Sequence, residues 1–207
     1  MKRTPLKWLV LILLIVIGAA SAFAWSMLER GFSARDTPSS IEAFVATRLR
    51  HLSIPRAALE ARNPVEASPE VLSGAMEHFA DHCATCHGND GTGETLIGRG
   101  LYPKPPDMSQ AGTQNLSDGE LYYIIENGIR FTGMPAFGET AGDTQDKESW
   151  ALVHFIRHLP KITPEEVIAM GKMNPKSPME LEKEEQERKF LEGGDTPPPS
   201  GSHEHHH

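Results

Sequence analysis

Only two cysteines occur in the 207 residues, Cys83 and Cys86, and His87 follows the second directly. Two thiols three positions apart can form a disulfide, act as a redox pair, supply part of a zinc site, or add to an organic cofactor. The run Cys83-Ala84-Thr85-Cys86-His87 is the C-x-x-C-H pattern of covalent haem attachment. Two thiols spaced this way on a turn can each add to one vinyl group along a porphyrin edge. The next residue then brings an imidazole under the iron. A thioredoxin-like pair would want a βαβ setting, and the sequence offers none. A zinc site would want further ligands at short spacing, and there is no second cysteine pair. A disulfide would leave His87 without a role. One covalent haem c, with His87 on the iron, accounts for all three residues.

A low-spin electron carrier also needs the far side of the iron closed. A methionine there raises the reduction potential, because a thioether favours the ferrous state. Of the eight methionines, Met134 is the best candidate. It lies in Gly133-Met134-Pro135-Ala136-Phe137-Gly138, a loop stiffened by proline and bounded by glycines, 47 residues beyond His87. That separation is enough for the chain to return over the opposite haem face. Met108 is the second candidate, and Met76 reads as core.

These residues need elements to hold them. Pro69 follows Ser68 as a helix start, with Glu70 in the first turn, and the helix should run to about His82. Val71, Leu72, Ala75, Met76 and Phe79 form its apolar face. Glycine and proline dominate from Gly88 to Pro106. Ser117-Asp118-Gly119-Glu120 is a capping box, with Leu121, Ile124 and Ile125 at helical spacing behind it. The last helix of this unit is expected from about Asp146 to His158, burying Trp150, Leu152, Val153, Phe155, Ile156 and Leu159. No segment reads as a strand. The expected organisation is an anchor over 1–28, a connector over 29–68, one compact all-α domain over 69–163, and a charged tail over 164–207.

The anchor is the uncharged run Trp8 to Leu28, 21 residues. At ~1.5 Å per residue it is roughly 31 Å long, the thickness of the bilayer hydrocarbon. Trp8 and Trp25 sit near its ends, where indoles favour the interface. Lys2, Arg3 and Lys7 precede it, which keeps the N-terminus cytoplasmic and sends the rest across the inner membrane. Ala20-Ser21-Ala22 and Ala22-Phe23-Ala24 resemble signal-peptide cleavage sites. The apolar run continues past both, so a retained single-pass anchor is the expectation. Cleaved or not, the segment delivers the remainder to the periplasmic or extracytoplasmic side. In the connector, Ser39-Ser40 caps a helix with Ile41, Phe44, Val45, Leu49 and Leu52 on one stripe, interrupted by Arg48 and Arg50. The stripe suits lipid headgroups or the main domain. Packing on the domain is the plainer expectation.

Residues 69–163 resemble the single-haem domain of the class I cytochromes c, especially those related to the haem-bearing subunits of bacterial terminal oxidases. The resemblance rests on Cys83-Ala84-Thr85-Cys86-His87-Gly88, Asp90-Gly91-x-Gly93, Leu101-Tyr102-Pro103-Lys104-Pro105-Pro106-Asp107 and Gly133-Met134-Pro135-Ala136-Phe137. It covers under half the chain. It implies a small all-α cytochrome c fold in which the first and last helices cross and the haem fills the core. A domain this small buries little by itself, so the haem would complete its interior. The resemblance also implies surrounding partners. A proline carbonyl after the motif, Pro103 or alternatively Pro105, would accept the proximal imidazole N–H. Arg99, Tyr102 and Trp150 would meet the propionates, with Arg130 a weaker choice.

Composition limits the remaining functions. The formal net charge is -8, and no basic patch suggests nucleic-acid binding. Between Glu70 and Ile162, thirteen acidic and six basic side chains leave a balance of -7, which would steer the domain toward a basic redox partner. The reading is an electron carrier with no catalytic residues, not an enzyme. A haem enzyme or gas sensor would need an open sixth site, and Met134 argues against that. A haem subunit of a larger oxidoreductase complex is the other alternative. His78, His82, His154 and His158 read as surface or capping groups. Glu180 to Glu192 reads as a solvated charged helix, and 193–202 as disordered by composition. The final His203-Glu204-His205-His206-His207 carries no functional assignment.

Overall fold

The computed structural model describes residues 4–31, 33–139 and 145–192. The expected disorder of 193–202, the histidine-rich end, and Lys2 and Arg3 lie outside the described residues. Among those residues there is no strand, and the architecture is all-α as expected.

Helix α1, Thr4–Arg30, contains the span Lys7–Glu29, with a mean hydropathy of 2.5 and no part of it buried. Helix α2, Ser40–Ser53, starts where Ser39 accepts a hydrogen bond from the Glu42 N–H, and the short helix α3, Arg56–Leu59, follows. Helix α4, Pro69–His78, has Ser68 as its cap and Pro69 at its first position. It does not stop near His82. One π-turn, Phe79–Cys83, carries the helix on into α5, Ala84–His87. The wider turn inserts a residue into the ladder and changes which face the following side chains occupy. Helix α6, Ala111–Gln114, is one turn, and α7, Asp118–Asn127, starts on the expected capping box of Ser117 and Glu120. Helix α8, Lys147–His158, is capped by Asp146, which accepts from two backbone N–H groups. Helices α9, Pro164–Gly171, and α10, Pro178–Leu191, close the described chain, each with its own capping box.

The first and last helices of the domain pack together, and their aromatic side chains make the contact. Phe79 at the end of α4 meets Phe155 of α8 at 4.8 Å between centroids. Trp150 stacks on Tyr122 of α7 at 4.1 Å and 16°. Phe79, Ala80, Trp150, Val153 and Phe155 are essentially inaccessible. Burying each large side chain contributes about 1.5–3 kcal/mol, against at most about 1 kcal/mol for an exposed ion pair such as Lys183–Glu187, so the aromatic contact organises the domain. Arg157 then ties α8 to the start of α7. Its guanidinium donates to the Gln114 and Leu116 carbonyls and to Asp118.

Two regions differ from expectation. Met170 of α9 is fully buried in the same core, so the packed unit continues past residue 163. The sequence after Pro160 is polar on average, and one buried methionine is invisible in that average. The stripe of α2 is also uncovered. Ile41 and Leu52 are each 78% exposed, and Phe44, Val45 and Leu49 are exposed too. The expected packing of this stripe on the domain is therefore corrected. Polar groups make the contact instead: Glu42 accepts from the Tyr102 hydroxyl, and His51 Nδ1 lies 2.8 Å from Glu120 Oε1. Beyond α2 the connector does pack. Ile54 is buried, the Ser117 hydroxyl donates to the Leu59 carbonyl, Asn63 donates to the Trp150 carbonyl, and His154 donates to the Val65 carbonyl.

Candidate haem site

The π-turn delivers Cys83, and the single turn of α5 delivers Cys86 and His87. The Ala84 N–H donates across five residues to the Phe79 carbonyl, and the Gly88 N–H closes the turn on Ala84. The chain after the motif then folds back on it. Gly93 N–H donates to the His87 carbonyl at 2.7 Å, and the Thr95 hydroxyl donates to the Thr85 carbonyl at 2.9 Å. The same hydroxyl lies 3.1 Å from the Cys86 carbonyl and accepts from the Gly98 N–H at 2.8 Å. Only glycine fits at 98, because a Cβ there would lie 2.5 Å from the Cys86 carbonyl and 2.4 Å from that of Gly93. Thr95 thus pins the motif from outside. Sequence reasoning passed over it, since one threonine in a glycine-rich loop carries no distinguishing pattern.

His87 is buried, and its ring lies 6.4 Å from that of Phe79. Burial pushes its pKa down to about 4, which keeps the imidazole neutral, the form that binds a metal. Its Nδ1 is buried with no hydrogen-bond partner. Cys83 and Cys86 are not bridged. Burial first, and then the Cys86 charge, push the Cys83 thiol up to about 12, so it is not the thiolate a redox pair requires. Among the described residues, no group of three or more His, Cys, Asp or Glu side chains converges as a metal site. The zinc alternative therefore finds no further ligands among the described residues.

Met134 sits on the loop between α7 and α8 and is half-buried. Its N–H donates to the Thr132 hydroxyl at 3.1 Å and its carbonyl accepts from the Ile129 N–H at 3.1 Å. The loop then lies along the end of α7, with Phe137 N–H donating to Ile125 and Gly138 N–H to Glu126. Gly128, at φ +63°, makes this possible, since a Cβ there would stand 2.6 Å from the Met134 carbonyl. Gly133 abuts the Leu101 side chain, so the Met134 loop meets the chain that follows the motif. Met108 is placed differently. It is buried in the core, and its N–H donates to Gly91 on the His87 side. Met76 packs against the core, as read.

The expected surrounding partners are distributed otherwise. Pro103 is exposed and its carbonyl takes no hydrogen bond from His87 Nδ1. Pro105 lies against Gly93, whose N–H holds the His87 carbonyl. Arg99 is exposed and lies 3.8 Å from Glu94. The Tyr102 hydroxyl is engaged by Glu42 of α2, because the connector docks there. Trp150 is stacked in the core on Tyr122. Arg130 is exposed. His78 and His158 pair with Glu148 and Glu166, and His154 holds the connector. Phe131, three residues before Met134, was not anticipated. It is 93% exposed at φ +62°, a conformation rare for a bulky residue. Leu96, Ile97 and Phe137 on the same two loops are exposed as well.

The donor set fits a haem. A neutral buried imidazole, two unbridged thiols and a loop-borne thioether are the atoms that hold haem iron and its ring, and the two loops expose apolar side chains as a porphyrin requires. A search of curated proteins finds no match to the chain. A family model does match: residues 71–156 fit cytochrome c oxidase, cbb3-type, subunit III. That interval runs from the first turn of α4 to the last turn of α8 and contains the motif and Met134. A cytochrome c domain of this type implies haem-based electron transfer. Residues 71–156 are accordingly similar to the c-type cytochrome domain of terminal-oxidase subunits, and this stretch lies behind one N-terminal apolar helix.

Proposed function

We propose that this chain is a membrane-anchored monohaem cytochrome c, carrying single electrons between respiratory or dehydrogenase partners outside the cytoplasmic membrane. The observation that carries it is His87, a buried neutral imidazole one residue after an unbridged cysteine pair. A bound haem supplies a one-electron iron couple. Cys83 and Cys86 would hold it through thioethers, and His87 and Met134 would hold its iron. In the haem-bearing protein the carbonyl of Pro103, or alternatively of Pro105, would accept from Nδ1, fixing the ring and raising its basicity. No side chain needs to take or give a proton to substrate, so none is assigned as catalytic.

Met134→Ala in the matured protein is the test. Loss of the sulfur-to-iron absorption band, with carbon monoxide now binding the reduced form, supports the assignment. An unchanged band and no carbon monoxide binding refute it. Covalent attachment is checked separately. Denatured wild-type protein should keep its haem stain on a gel, and Cys86→Ser combined with Cys83→Ser should lose it.

A further inference from the structure

We infer that α2 is a second membrane contact, an interfacial helix that lays Ile41, Phe44, Val45, Leu49 and Leu52 into the headgroup region of the same bilayer that α1 spans. The inference rests on the reading of α1 as a membrane span. The stripe is amphipathic by spacing, yet all five side chains are exposed, so nothing among the described residues covers it. Its direction is set by the domain. Glu42 and His51 tie the helix to Tyr102 and Glu120, and buried Ile54 pins its end, leaving the apolar residues outermost.

The occupant follows from chain length and charge. Nine residues separate Arg30 from Ser40, and a fully extended chain spans at most about 3.6 Å per residue. Ten steps therefore place the start of α2 within about 36 Å of the end of α1. Trp25, whose indole donates to Glu29 at 2.9 Å, stands at the α1 end nearest α2, a typical interface position. The cations on α2 are arginines. Arg48 lies on the apolar face, its guanidinium 5.4 Å over the Phe44 ring. An aromatic and leucine face carrying arginine is the composition of helices that lie in an interface, where the aliphatic stem stays in the apolar layer and the guanidinium reaches phosphate. A domain held at both α1 and α2 would present one constant face to its redox partners rather than swing freely.

The test uses full-length haem-bearing protein in phosphatidylcholine vesicles containing phosphatidylglycerol. Leu49→Cys, Leu52→Cys and Ala43→Cys each supply one free thiol for an environment-sensitive fluorophore. Labels at 49 and 52 should emit to the blue of the label at 43, be quenched by nitroxide-bearing lipid and resist iodide. The label at 43 should show the reverse. Stripe labels quenched by iodide like the label at 43 would place α2 in water and overturn the inference. Stripe labels shielded from both quenchers would show a protein partner or a second copy, and would overturn it too. Flotation of the same samples separates the failures: protein that does not float refutes the α1 reading and this inference with it. An unchanged haem spectrum in every variant keeps the cytochrome reading apart from either result.

Discussion

Helices α2 and α8 are of similar length, each capped at its start and each with an apolar stripe, yet they end in opposite surroundings. On α8 the stripe faces α4 and α7, and Phe155 and Val153 have no accessible surface. On α2 the stripe faces outward, and the helix touches the domain through Glu42 and His51. Spacing alone states that an apolar face exists. It does not state what covers it. The difference lies in the neighbours: α8 carries two aromatic rings that fit between α4 and α7, whereas α2 meets the domain at a tyrosine hydroxyl and a carboxylate.

The sharpest way to test this contrast is to cut both stripes. Phe155→Ala should cost about 3–5 kcal/mol in denaturant unfolding of the holoprotein, because it removes a ring from a close-packed contact with Phe79. Removing the α7 cap should cost less. Ser117→Ala loses the hydrogen bond from the Glu120 N–H, and also the one to the Leu59 carbonyl, for about 1 kcal/mol. Leu52→Ala on α2, measured in detergent, should change stability by less than about 0.5 kcal/mol. Should Leu52→Ala match Phe155→Ala, the two stripes are equally covered by protein and the contrast disappears. Amide exchange ranks them without mutation: α8 should exchange only on global unfolding, and α2 far sooner in detergent.

Much of this arrangement was legible beforehand. The motif at 83–87 and the capping box at Ser117 and Glu120 are local, so their meaning survives without knowledge of the fold. The buried face of α8 follows from helical period. Three features were not legible. The π-turn at Phe79–Cys83 shifts the register of an ordinary-looking helix, and no residue type marks it. The burial of Met170 depends on α9 folding back, which the residues of that helix do not announce. The pairing of Tyr102 with Glu42 depends on where the connector comes to rest.

By itself the sequence determined the chemistry on offer: two thiols and an imidazole at a spacing suited to a porphyrin edge, a methionine loop far enough along to return, and an apolar run long enough to span a bilayer. Each depends on covalent spacing or on local periodicity, which a linear string carries in full. Tertiary structure decided which methionine sits in the core and which on a loop, which hydroxyl meets which carboxylate, and which of two apolar stripes is covered. Those outcomes are contacts between residues distant in the chain, and they are settled by packing and by competition among polar partners.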